Sequence, residues 1–174
     1  MVEKFTSVCY NYFDSRICEC YELQVKNMGR RIKLGDIYSF QLPTGEFVFV
    51  RVHQNAVIGI YKQRGKSLDD IPPNEEFDFF VCVYKHCYRN WHYVENRPFQ
   101  NDEKAWSPPF VWVDQITGEG SLYYRSEKIP CTYDECKDLE ILAVWDEHPL
   151  IDRLMGITKW QDCMKKPVPQ DKDN

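Results

Sequence analysis

The chain has 174 residues, with 22 lysines and arginines against 27 aspartates and glutamates, a formal charge of −5. That balance gives no global attraction for a phosphate backbone, so nucleic acid is disfavoured as a partner. A hydrophobic share of 43%, with 15% aromatic residues, argues against disorder, and no apolar run reaches the roughly 18 to 20 residues needed to span a bilayer.

The start, Met1-Val2-Glu3-Lys4-Phe5, lacks the charged and then apolar pattern of a secretory signal. The expectation is one cytoplasmic domain over residues 1–174, not associated with a membrane. Along the chain, residues 1–30 show no clean period. A first strand is expected at 20–25, before the basic turn-like Lys26-Asn27-Met28-Gly29-Arg30-Arg31. Residues 33–52 then read as a hairpin. Both flanks are β-branched and aromatic, Pro43 presets φ for the second position of a turn, and Gly45 can take a positive φ. Asp36, just after Gly35, is placed to cap a turn. A third strand is expected at 56–61 after a Gln54-Asn55 reversal, which makes a meander. Residues 66–74, with Pro72 and Pro73, cannot continue a ladder and read as an exposed loop.

Strand character resumes at 77–84, with 91–94 as the expected hairpin partner. A loop at 98–109 follows, then two strands, 110–113 and 122–124, around the turn Thr117-Gly118-Glu119-Gly120. Residues 139–145 read as a late strand. One helix comes after it: Asp146 or His148 starts it, Pro149 suits its first position, Leu150, Ile151, Leu154 and Met155 share a face, and Gly156 ends it. The tail 165–174, with Pro167 and Pro169, is expected to fray. The fold class is mainly β, a β-rich α+β arrangement: a strongly bent antiparallel sheet or partly open barrel with one short C-terminal helix packed on it.

Chemistry is less legible. Eight cysteines without a secretory signal are expected to be thiols. Cys18/Cys20, Cys82/Cys87 and Cys131/Cys136 do not make the repeated two-residue knuckle of a zinc site. His86 and His92 near Cys82 and Cys87 invite a mixed site, but those ligands must converge across a hairpin, so neither a metal nor a cofactor is expected. Compact catalytic signatures such as Gly-x-Ser-x-Gly, a P-loop or His-Glu-x-x-His are missing, so no catalytic residue is assigned.

Acids cluster instead. Residues 66–78 hold five of them, Asp69, Asp70, Glu75, Glu76 and Asp78, against one lysine, and residues 134–152 hold seven against one lysine. Such runs are ordinarily solvated surface, but converged they would steer a basic partner. Tyr88 and Trp106 are candidate anchors for a partner, with core or hairpin packing as the plainer reading. The basic set Lys26, Arg30, Arg31 and Lys33 leaves a small nucleic-acid-binding barrel as one alternative, and an enzyme with a dispersed site as another.

Four places carry a family pattern. The first is Gly35-Asp36-Ile37-Tyr38-Ser39-Phe40-Gln41-Leu42-Pro43, with Gly45 and the strand through Arg51-Val52. The second is Asn90-Trp91 followed by Pro98-Phe99, and the third is Pro109-Phe110. The fourth is Leu139-Glu140 with Val144-Trp145 and then Ile151-Asp152-Arg153-Leu154. In this order, over about residues 33–155, they resemble the bacterial immunity-protein family 26 of polymorphic toxin systems. Val50 stands where that family often has glycine before the arginine of the second strand. The resemblance implies a protein that binds a cognate toxin effector and occludes its active surface, with no chemistry of its own.

Overall fold

The computed structural model describes residues 30–114 and 116–157. The chain divides into two units, Met1–Arg31 and Ile32–Asn174, and the second is described below. The strand anticipated at 20–25 and the tail at 165–174 lie outside the described residues.

The opening hairpin pairs β1 (Asp36–Gln41) with β2 (Phe47–Val52) in antiparallel register, Ile37 opposite Arg51 and Phe40 opposite Val48. The Leu42 carbonyl accepts from the Gly45 amide at 2.9 Å, and Gly45 takes a φ of 90°, so Pro43 and Gly45 do what the sequence asks of them. β3 (Val57–Tyr61) follows through a short 3-10 turn, Gln54–Ala56, in which Asn55 and Ala56 both have positive φ. β4 (Phe77–Val83) completes the meander.

The chain then turns through α1 (Cys87–Asn90) into β5 (His92–Asn96). Contrary to the hairpin expected with β4, β5 pairs antiparallel with β1 at the opposite edge, Tyr38 opposite Tyr93. Trp91 explains the detour. It leaves α1 to stack on Phe40 of β1, ring centres 4.9 Å apart, and its Nε1 donates to Glu147 at 2.8 Å. That contact carries the strand across the sheet.

β6 (Phe110–Val113), β7 (Gly120–Tyr124) and β8 (Glu127–Pro130) form a separate three-stranded antiparallel sheet. The expected turn between the first two is present, with Gly118 at a φ of 78° and the Asp114 carboxylate accepting from the Ile116 and Thr117 amides. A short helix, α2 (Tyr133–Cys136), opens on a Thr132/Glu135 capping box. The strand expected over 139–145 is shorter than its apolar run. Ile141 makes one isolated parallel bridge to Val111, and only β9 (Val144–Trp145) is a strand. β9 pairs parallel with β4, Cys82 opposite Val144. The larger sheet is therefore mixed, in the order β5-β1-β2-β3-β4-β9, and open at both edges.

Helix α3 (Glu147–Met155) begins two residues before the expected Pro149. Asp146 is its N-cap, accepting from the Glu147 amide at 2.7 Å, and Pro149 sits in the third helical position. That position tolerates proline because the first-turn amides have no partner inside the helix. Gly156 closes it in the left-handed region, with the Ile157 amide reaching back to the Asp152 carbonyl at 3.0 Å, a Schellman end. Leu150 and Leu154 pack into one face of the sheet with Tyr38, Phe40, Val50, Ile58, Phe79, Val81, Trp91 and Trp145. Full burial of Leu150 alone stabilises the fold by about 1.5–3 kcal/mol. The Arg153 guanidinium forks onto Glu140 at 2.5 and 3.1 Å and lies 3.8 Å over the Phe79 ring, clamping the segment before β9 to the helix after it.

Candidate functional site

The other face of the large sheet is different. From β2 the alternation Phe47, Phe49, Arg51 and then His53 points away from α3, and the register sets Gly59 opposite Arg51 and Phe80 opposite Gly59. Gly59 leaves the space that the aromatic rings occupy: a Cβ there would lie 2.7 Å from the Phe77 ring. Arg51 is 0% exposed. A charge so deep survives only when paired and hydrogen-bonded. Its Nη1 donates to Glu75, its Nη2 donates to the Arg97 carbonyl at 2.5 Å, and its guanidinium lies 3.7 Å from the Phe99 ring centre.

His53, 4% exposed, sits among Phe77, Phe80 and Phe99, with ring centres 4.8 to 5.2 Å away. Its pKa is lowered to about 4, first by burial. The positive charge of Arg51 is the second cause within that shift, and the Ala105 backbone offsets part of it. Burial likewise raises the pKa of Tyr61, against the pull of Arg51 and Arg97. Among the described residues, the buried side-chain polar atoms without a hydrogen-bond partner are Arg51 Nε, both His53 ring nitrogens and the Tyr61 hydroxyl. All four belong to this one cluster.

The cluster anchors the loop between β3 and β4. Glu75 closes on Arg51, and the Arg97 Nη1 donates to the Pro72 carbonyl at 3.0 Å while its other nitrogens hold Glu95. Gly65 bridges Phe47 through amide–carbonyl pairs of 2.8 and 2.9 Å, and the Lys62 amide donates to the Glu76 carbonyl. Inside the loop, the Asp70 carboxylate accepts from the Lys66 and Ser67 amides at 2.7 and 2.9 Å, which holds its pKa below the usual carboxylate range. Residues 66–74 are the exposed loop expected of them, and they are pinned at several points.

The anticipated binding residues therefore divide by role. Asp70 folds the loop and Glu75 neutralises Arg51. Asp69, Glu76 and Asp78 are exposed, and among the described residues their carboxylates form no ion pair. Tyr88 is half-buried, edge-on to Tyr38 and Trp91 at 5.1 and 5.2 Å, so it takes the plainer packing role. Trp106 is half-buried, its Nε1 donating to Asp102 at 3.4 Å and Arg125 5.7 Å from its ring.

Six of the seven acids in the second run have internal partners, and the seventh, Asp138, is exposed. Asp134 pairs with Lys137, Glu135 caps α2, Glu140 pairs with Arg153, Asp146 with His86 and Asp152 with His148, while Glu147 accepts from Asn90 and Trp91. It is not a free patch. Of the basic set, Lys33 alone belongs to the unit Ile32–Asn174, and Lys26 lies outside the described residues.

The mixed site imagined from Cys82, Cys87, His86 and His92 does not assemble: His92 is on β5 at the far edge and Cys82 is in the sheet. His86 and Cys87 meet Asp146 instead, with the three ligand atoms within 4.8 Å of one another. The Cys87 thiol is pushed up to about 12, first by burial and then by the negative charges of Asp146 and Glu147.

Sequence reasoning missed Arg51, His53 and Tyr61 as a centre. The signal was present in Phe47-Val48-Phe49-Val50-Arg51-Val52: an arginine inside a run apolar on both faces must be buried, and so must find an acid. No protein-family model, no curated protein and no solved structure matches the chain, so the likeness to immunity-protein family 26 rests on the residue pattern alone.

Proposed function

We propose that this chain is a binding protein that presents the acidic segment Asp69 to Asp78 to a basic surface on a protein partner, and that the partner is a bacterial toxin effector of the kind that immunity proteins neutralise. The observation that carries this reading is the closure of Glu75 on the buried Arg51. It fixes the shape of a loop whose carboxylates Asp69 and Glu76, with Asp78 at the start of β4, face solvent. A preorganised loop loses little conformational entropy on docking, and unpaired carboxylates of one sign raise the encounter rate with a basic patch. The ordered pattern from Gly35-Asp36 to Arg153-Leu154 supports the family part of the reading.

The proposed partner is a toxin domain encoded beside this gene, and co-expression with such a domain tests the reading. The wild-type chain restores growth, and the triple variant D69K/E76K/D78K, folded by its urea midpoint, restores it less. No rescue by the wild-type chain, or equal rescue by the variant, contradicts the reading. Asp70 and Glu75 are left out of the variant because reversing either disturbs the loop itself.

A further inference from the structure

We propose that His86, Cys87 and Asp146 form a site for one divalent transition-metal ion, with zinc the best match. The fold brings them together for a stated reason. β4 and β9 are the parallel pair in the sheet, so both chains leave it at the same end. The register continues past the strands, with the Tyr84 amide donating to the Trp145 carbonyl at 3.0 Å. On one side a tight turn, Cys87 amide to Tyr84 carbonyl at 3.0 Å, folds His86 and Cys87 back. On the other, β9 runs straight into Asp146.

Donors 60 residues apart in sequence thus converge: His86 Nε2 is 2.8 Å from Asp146 Oδ1, and Cys87 Sγ is 4.0 Å from the same oxygen. Zinc takes nitrogen, oxygen and sulfur ligands at about 2.0 to 2.3 Å, which puts tetrahedral ligands on the order of 3.3 to 3.8 Å apart. The two separations from Asp146 Oδ1, 2.8 and 4.0 Å, fall on either side of that range, and all three donor atoms lie within 4.8 Å of one another.

The donor set selects among metals. An imidazole, a thiolate and a carboxylate suit zinc and its neighbours, whereas magnesium and calcium take oxygen ligands. His86 is half-exposed, which leaves the fourth position to solvent. Glu147 stays in the outer shell, since its two oxygens accept from Trp91 Nε1 and Asn90 Nδ2, each at 2.8 Å. The start of α3 carries about half a positive charge, and the two carboxylates of Asp146 and Glu147 outweigh it. On binding, the Cys87 proton passes to solvent and the sulfur lone pair forms the metal bond.

The plainer reading is a surface His86–Asp146 ion pair beside a core thiol. Cobalt(II) titration of the reduced, metal-stripped full-length chain separates the two. The site predicts one equivalent bound, with a thiolate-to-cobalt charge-transfer band that zinc removes by displacement. C87S abolishes the band. D146N, which keeps an N-cap for α3, and H86Q, at an exposed position, each weaken affinity by about 100-fold or more, at or beyond the upper end of what loss of an outer-shell partner costs. Serine at Cys131 and Cys136 leaves the band unchanged. Absence of a thiolate band at stoichiometric cobalt, a band that survives C87S, or undiminished affinity in D146N and H86Q overturns the proposal.

Discussion

His53 ties the stability of the chain to pH through a buried residue that is not an acid. Its folded pKa of about 4 lies below the unfolded value of 6.5, so between those values the unfolded chain binds a proton that the folded chain refuses. Stability therefore rises with pH across that window and is lost as pH falls from 6.5 to 4, by about 3 kcal/mol in total. The carboxyls of Asp70 and Asp114, both lowered by backbone amides, lose their contribution only below 3.8, outside the window. Urea unfolding at pH 7, 5.5 and 4.5 should show this loss in the wild-type chain and much less of it in H53F, which fills the same aromatic nest without a titrating ring; parallel curves would refute it. Glu75 makes the companion case. E75Q leaves Arg51 buried with a neutral partner and should lower stability by about 1–3 kcal/mol, tempered by the 39% exposure of the Glu75 side chain. An unchanged urea midpoint would mean that the pair holds nothing.

At the level of elements, backbone strain sits in turns that lack glycine. Ala56 has a φ of 59° and Asn55 of 56°, and the β7–β8 turn puts Arg125 and Ser126 at 50° and 69°. A56G should raise stability by about 0.5–1 kcal/mol by removing the left-handed penalty of a Cβ, and a fall in melting temperature would contradict that account. Helix α3 depends on its buried stripe, so L150A should cost about 2–5 kcal/mol, measured by denaturant unfolding; a cost near zero would mean that the helix does not hold the sheet. These same features decide what the sequence disclosed. Strands β1 to β4 were legible because Pro43 and Gly45 mark their turn and Pro72 and Pro73 break the ladder. β8 was not, because an Arg-Ser turn gives no turn signature and all four of its residues are exposed. The β5 pairing was misread because an edge strand takes its partner from tertiary contacts, here Trp91 on Phe40, and local alternation does not encode them. The parallel seat of β9 is equally nonlocal: Trp145 and the Arg153–Glu140 clamp set it.

For the molecule as a whole, composition located the acidic stretches but not which carboxylates are free. That depends on Arg51 taking Glu75, on two loop amides taking Asp70, and on the second acidic run spending all but the Asp138 charge on α2, α3 and neighbouring residues. The residues behind the family likeness turn out to be scaffold. A Cβ on Gly35, at a φ of 82°, would lie 2.5 Å from the Arg97 carbonyl oxygen, and the buried Asp36 accepts from the Lys33 amide and Asn96 at 2.8 Å. Trp91, Glu140 and Arg153 join strands to helices. The proposed binding surface is the loop this scaffold holds, and among the described residues no helix is long and apolar enough to cross a membrane. The most direct measurement is the association rate with the proposed toxin partner, as a function of ionic strength, for the wild-type chain and D69K/E76K/D78K. The account predicts a wild-type rate that falls steeply with salt and a variant about tenfold slower at low salt with a nearly flat dependence. Equal rates with equal salt slopes would contradict it.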